Sequence, residues 1–174
     1  CRVNPSECLK SSDAENFEPA DLAIFERQYA ELPVYKQYVD ILGKQNPRRL
    51  SEIPCLPIEF FKQHQVVCRN LPIVKTFQSS GTTQQVRSKH LIADLRWYDA
   101  SLLLGFERVF GNPTDYVFIA LLPSYLENGD SSLIYMVDQL IQKSNSSLSG
   151  YYLSQMDEVL SVYHRALSQG RKPF

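Results

Sequence analysis

Apolar residues recur at two different periods along this chain, and the switch between them predicts its elements. Behind Pro19, Leu22, Phe25, Tyr29 and Leu32 follow the helical period, with charged residues between them. Pro33 breaks that run. Val34, Tyr35, Tyr38, Val39 and Leu42 then start a second amphipathic helix, which Gly43 stops. Residues 44–57 carry Pro47, Pro54 and Pro57 and read as a turning connection, followed by the short apolar run Ile58 to Lys62. Pro72 to Phe77 is β-branched and aromatic and predicts a strand. Ser88 to Ile92 predicts a returning strand, which makes the stretch between them a hairpin tip. Asp94 is placed to cap a helix from Leu95 to Phe110, with Leu95, Tyr98, Leu102, Phe106 and Val109 on one side and Gly111-Asn112-Pro113 at its end.

Tyr116 to Leu122 is the strongest predicted strand. It is apolar without alternation, as expected for a central strand of a parallel sheet covered on both faces. Pro123 ends it. Leu133 to Lys143 has a wide apolar face and predicts a helix, with Asp130 or Ser131 as its cap. Ser154-Gln155-Met156-Asp157 reads as a capping box opening a last helix to Ser168, closed by Gly170. Arg171 to Phe174 reads as the approach to another strand. Strands alternating with helices predict a layered α/β architecture. The expected organisation is a loose lead-in over 1–16, a helical lead-in over 17–57, and over 58–174 the first part of an α/β domain that continues beyond Phe174.

Composition narrows the function classes. At 174 residues the chain is long enough for one domain, and its 44% hydrophobic and 21% charged content is that of an ordinary globular protein. A formal net charge of −1 gives no electrostatic footprint for nucleic acid. No apolar run reaches the length of a membrane span. Cys1, Cys8, Cys55 and Cys68 contain no Cys-x-x-Cys pair and no disulfide framework, so they read as free or buried thiols of a cytoplasmic protein, with no metal site. His64 and Arg69 are the basic residues nearest in sequence to Cys68, and the three histidines make no ligand-spaced pair.

The chemistry-bearing stretch is Phe77-Gln78-Ser79-Ser80-Gly81-Thr82-Thr83-Gln84-Gln85-Val86-Arg87. Five small or hydroxylic residues in a row cannot serve as core. They suit a loop whose backbone comes close to a polyanion. Gly81 permits convergent N–H groups, Ser79, Ser80, Thr82 and Thr83 offer hydroxyl donors, and Arg87 brings a charged fork. The ordinary reading of such a cluster is a surface turn. It is not a Walker A loop, because no Gly-Lys-Ser/Thr follows. A second stretch, Pro123 to Ser132, follows the strongest strand. The carboxyl end of a central strand is where α/β proteins place ligands, although a plain strand-to-helix connection would look the same.

Ser-Ser-Gly-Thr-Thr after a strand ending in an aromatic resembles the ATP-phosphate loop of the adenylate-forming enzymes, the superfamily of acyl-CoA synthetases and luciferases. That family continues Gly-x-Pro-Lys where this chain has Gln84, Val86 and Arg87. Leu56 to Lys62, Ser79 to Thr83 and Leu122 to Glu127 together resemble the acyl-protein synthetase branch of bacterial luminescence systems, which ligates long-chain fatty acids. The resemblance implies an α/β fold corresponding to the amino-terminal half of such an enzyme. It implies ATP and Mg²⁺ as cofactors, a carboxylic acid, expected to be a fatty acid, as substrate, and a thiol on a protein or carrier as acyl acceptor. Ser79, Ser80, Gly81, Thr82 and Thr83 would hold the β- and γ-phosphates, with Arg87 in the place of the family's lysine. Tyr125 would line the acyl pocket between Ser124 and Leu126, and Leu126 stands where many relatives have histidine. The family's late catalytic lysine and its acyl-carrying cysteine match nothing in this sequence, so the stretch by itself is not expected to catalyse. A different class of function also fits: a non-catalytic binding or scaffold domain that keeps the fold, motivated by Gln84 and Val86.

Overall fold

The computed structural model describes residues 17–79, 86–123 and 129–174. The chain mixes helices with small sheets, as an α/β protein does, and divides after Trp97 into two compact units. Among the described residues no helix is long and apolar enough to cross a membrane.

The first unit opens with α1 (Phe17–Glu31) and α2 (Pro33–Leu42). Pro33 has no N–H to lose at the first turn of α2, so it starts that helix as readily as it breaks the one before. Phe25, Tyr35 and Val39 are buried between the two helices, with Tyr29, Leu32, Ile53 and Leu56 packed around them. The Tyr35 hydroxyl donates to the carbonyl of Pro54 at 2.7 Å and pins the proline-rich connection to α2. Gly43 closes α2 at φ +65°, where its N–H and that of Lys44 reach back to Asp40 and Val39. A 3₁₀ turn (Leu50–Glu52) and a one-turn helix α3 (Phe60–Gln63) follow, and Phe60 meets Tyr38 edge-on at 5.5 Å. Strands β1 (Lys75–Gln78) and β2 (Lys89–Ile92) then pair antiparallel, with Lys75 opposite Ile92 and Gln78 opposite Lys89. The expected hairpin is therefore present.

Helix α4 (Leu95–Phe110) is capped as the sequence suggested: Asp94 accepts from the Arg96 N–H at 3.0 Å. In the second unit the chain turns through a 3₁₀ segment (Pro113–Asp115) into β3 (Tyr116–Val117) and β4 (Ile119–Ala120), two halves of one extended run. It continues through α5 (Ser132–Ser144), β5 (Gly150–Tyr151), α6 (Met156–Ser168) and β6 (Lys172–Pro173). The run is parallel to β5 and to β6. The Gly150 and Tyr152 N–H groups donate to Phe118 and Ala120, while that of Phe174 donates to Val117 and that of Ile119 to Phe174. Carbonyls alternate in direction along a strand, so β5 and β6 occupy opposite edges of the run.

Both faces of the run are covered. Val117 packs with Leu148, Tyr152 and, from α6, Val162 and Ala166. Tyr116 and Phe118 pack with Phe106 of α4 and Leu140 of α5. Alternate residues of a strand point to opposite faces, so α5 and α6 lie on opposite sides of a small parallel sheet. The first crossover leads to one edge of the central strand and the second to the other, which makes this strand a topological switch point.

Two expectations need correction, and one alternative is decided. Tyr116 to Leu122 forms no uninterrupted strand. The ladder breaks at Phe118, whose N–H donates at 3.0 Å to the Ser149 hydroxyl instead of a backbone carbonyl, and it ends at Ala120. Ser149 Oγ lies 2.8 Å from Ser144 Oγ, which donates to Ile141 at 2.7 Å, so the buried Ser144 hydroxyl and the half-buried Ser149 hydroxyl satisfy one another. Ser154 does not cap α6: that helix begins at Met156 behind Gln155, without a side-chain cap. Between Asp130 and Ser131, Ser131 caps α5 by accepting the Ile134 N–H at 3.4 Å.

The two sides of α6 predict opposite mutational behaviour. Val117→Ala, in the fully buried strand beneath α6, should cost about 1.5–3 kcal/mol. Leu160→Ala, on the exposed side of α6, should stay within about 0.5 kcal/mol. Urea unfolding midpoints check both. A pH dependence follows from Tyr151. Its hydroxyl donates to the Ile134 carbonyl, and burial first and the Asp138 carboxylate second push its pKa from 10.0 to about 12. The folded state therefore holds this proton where the unfolded chain has released it. The contribution to stability is complete below pH 10 and is lost as pH rises from there to about 12. Tyr151→Phe should flatten the alkaline fall of the melting temperature over that window.

Candidate functional site

The hairpin β1–β2 holds the strand ends from which the Ser-Ser-Gly-Thr-Thr stretch springs. Phe77 anchors it: the ring is 2% exposed. Opposite Phe77, His90 stacks on Phe61 of α3 with centroids 4.7 Å apart and planes 22° from parallel. The segment Leu56 to Lys62 and the strand after the loop, which are far apart in sequence, thus meet through an aromatic contact.

The base of the loop is closed by two serines. The Ser79 N–H donates to the Ser88 carbonyl at 3.1 Å, and the Ser88 N–H donates to Ser79 Oγ at 3.1 Å. Ser88 is buried, so this second bond satisfies a backbone donor that water cannot easily reach. One lone pair of Ser79 is therefore committed to the hairpin, while its hydroxyl hydrogen remains able to donate elsewhere. Arg87 is exposed beside Ser88. Ser80, Gly81, Thr82 and Thr83, named as phosphate-binding candidates, lie outside the described residues, as do Gln84 and Gln85. Ser124, Tyr125 and Leu126 also lie outside them, in the connection that leaves the switch-point strand of the second unit.

Between α3 and the hairpin lies a cleft of about 380 Å³. Its polar lining includes Lys62 and His64 from α3 and its exit, Thr76 and Gln78 from β1, and Lys89 from β2. Phe61, Ile73 and Leu91 supply apolar wall, and Val86 stands at the rim beside the loop. Thr76 faces Leu91, and Gln78 faces Lys89, as directly opposed cross-strand pairs, so these side chains project from one face of the ribbon. No acidic residue is among the described residues that line the cleft. The ion pairs among the described residues lie elsewhere: Arg27 with Glu31, Lys36 with Asp40, and Arg96 with Asp94. Nothing in the sequence marks Lys62, Gln78 and Lys89 as residues of one site. Counting outward from the loop in an antiparallel register would have paired Gln78 with Lys89, but nothing in the sequence brings α3 against them.

Cys68 does not acquire the basic partner that its sequence neighbours suggested. Burial first and the Glu31 carboxylate next push its thiol pKa up, outweighing Arg27, which pulls the other way. A thiol held protonated is a poor nucleophile. Cys55 and Cys68 are free, and among the described residues no His, Cys, Asp or Glu cluster is arranged to hold a metal ion.

Compared with protein-family models, with curated proteins and with solved structures, the chain finds no match in any of the three.

The serine closure makes a stability prediction separate from any ligand. Ser79→Ala orphans the buried Ser88 N–H and should destabilise by about 1–3 kcal/mol. Ser79→Thr keeps an acceptor and should recover most of the loss. Thermal unfolding of the two variants side by side checks this, and equal stability of Ser79→Ala and the parent would remove the hydroxyl from the closure.

Proposed function

We propose that this chain supplies the nucleotide-phosphate loop of an ATP-dependent acid–thiol ligase of the adenylate-forming type, close to the acyl-protein synthetases. The single observation that carries the reading is the Ser79-Ser80-Gly81-Thr82-Thr83 sequence following β1 in an antiparallel hairpin whose described residues line a cleft with lysines and no described acid. The reaction is a displacement at phosphorus. A carboxylate oxygen of the acid attacks the α-phosphorus of ATP, the bond to the β-phosphate bridging oxygen breaks, and pyrophosphate leaves with that electron pair. A thiolate then attacks the acyl carbonyl and AMP leaves. Fatty acids are the proposed substrates and a thiol on a protein or carrier the acyl acceptor.

In this scheme the loop's task is electrostatic: its hydroxyl and backbone donors and Arg87 stabilise the charge that grows on departing pyrophosphate. Mg²⁺ would be held by phosphate oxygens and water together with one or two carboxylates, which the described residues of this cleft do not supply. When bound with ATP it neutralises part of the triphosphate charge. Tyr125, with Ser124 and Leu126, is the proposed acyl-pocket contribution. Its support is the position of that connection at the carboxyl end of a switch-point strand, where open α/β sheets bind ligands.

The phosphate part of the proposal is testable on the chain itself by calorimetric titration with MgATP. Thr82→Val keeps the side-chain volume and removes one donor to a charged group, worth about 1.5–3 kcal/mol, or roughly ten- to a hundredfold in affinity. Gly81→Val adds β-branched bulk where phosphate must sit and should cost more. Arg87→Lys should be mild and Arg87→Ala stronger, most of all at low salt. If the folded chain does not bind MgATP, or binds it equally well with Gly81→Val and Thr82→Val, the stretch is only a turn and the enzyme reading falls. A scaffold domain is what that result would leave.

A further inference from the structure

We propose that the cleft between α3 and the β1–β2 hairpin is a second phosphate subsite, in which Lys62 and Lys89 hold the terminal phosphates of an oligophosphate. The inference deepens the reading of the loop and rests on it for the choice of ligand class. The geometry stands apart from it.

The two lysines come from different elements: Lys62 from a one-turn helix and Lys89 from the first position of β2. Both are exposed, both line the same cleft, and no carboxylate among the described residues lines it with them. Two exposed ammonium groups lining one concavity repel each other only weakly through water and salt, and a bound anion with at least two negative centres would be attracted to both. Thr76 and Gln78 add a hydroxyl and an amide from β1 on the same wall, and His64 adds an imidazole from the facing side. Such a donor set exceeds the roughly four acceptor sites of a single carboxylate and suits the more numerous oxygens of linked phosphates. At about 380 Å³ the cleft exceeds what one phosphate fills. Gln78 and Val86 line the cleft on either side of the Ser-Ser-Gly-Thr-Thr stretch in the sequence, which is why the reading of that stretch sets the ligand class. The β,γ end of a nucleoside triphosphate and free pyrophosphate present the same chemistry here.

The test uses inorganic pyrophosphate, ATP and AMP titrated without Mg²⁺ into the full chain at fixed ionic strength. Lys62→Gln and Lys89→Gln, singly and together, are compared with Gly81→Val and with Lys44→Gln, a lysine outside the cleft. The expected result is pyrophosphate and ATP binding weakened about tenfold or more in the double variant. AMP binding and the melting temperature should be unchanged, and Lys44→Gln should match the parent. Loss of ATP affinity alone, with pyrophosphate binding unaffected, would overturn it, because pyrophosphate presents the same terminal phosphates. Overturning results are absence of pyrophosphate binding by the parent, an unaltered double variant, or an equal loss in Lys44→Gln, which would mark a net-charge effect. The two readings separate cleanly. Loss in Gly81→Val without loss in the lysine variants keeps the loop and removes the cleft, and the reverse pattern keeps the cleft and removes the loop.

Discussion

The extended run from Tyr116 to Ala120 is the constraint on which the second unit depends. A strand with partners on both edges and helices on both faces must direct successive peptide groups to opposite edges and successive side chains to opposite faces. Five residues do all of this here. Carbonyls of Val117 and Phe118 are taken from opposite sides by Phe174 and Gly150. Side chains of Val117 and Phe118 enter different cores, one built with α6 and the other with α4 and α5. A polar residue anywhere in this run would be buried on one face or the other, which is why the sequence there shows no alternation. The short length of the paired segments is offset by aromatic packing: Phe106, Tyr116 and Phe118 all contact the Phe174 ring at centroid distances between 5.4 and 5.6 Å.

In the first unit the corresponding constraint is local. Phe77 is the only residue of β1 that is buried, and a hairpin with one anchored ring needs its register fixed elsewhere. The Ser79–Ser88 exchange does this at the tip end. The stacking of His90 on Phe61 holds β2 against α3. The register of the hairpin is thus fixed by described residues on either side of the Ser-Ser-Gly-Thr-Thr stretch.

How much of this was legible beforehand depends on how local the determining interaction is. Helices α1, α2, α4 and α5 were readable because period, cap and stop all lie within each segment: Asp94, Ser131 and Gly43 act where the sequence put them. The burial of Tyr116 to Ala120 on both faces was readable for the same reason. The break at Phe118 was not, because it is made by the side chain of Ser149, thirty-one residues later. Ser154 misled because a capping motif reports only that a helix could start there, and the helix starts at Met156 without a side-chain cap. For the site, the loop declared itself through composition, whereas the cleft did not. Lys62 and Lys89 look like two unrelated surface charges until the stacking of Phe61 on His90 brings their segments together.

Charge placement then gives the two lysines a meaning that their number does not. A chain with net charge −1 has no general attraction for anions, so any phosphate affinity must come from local arrangement. Arg27, Lys36 and Arg96 sit beside acids, and Lys36 with Asp40 and Tyr29 shows the consequence: the lysine's pKa is raised and the aspartate's lowered. The cleft omits the acid. Lys62 and Lys89 belong to none of the ion pairs among the described residues and line one concavity without a described acid, which is the local arrangement from which the proposed phosphate affinity would come.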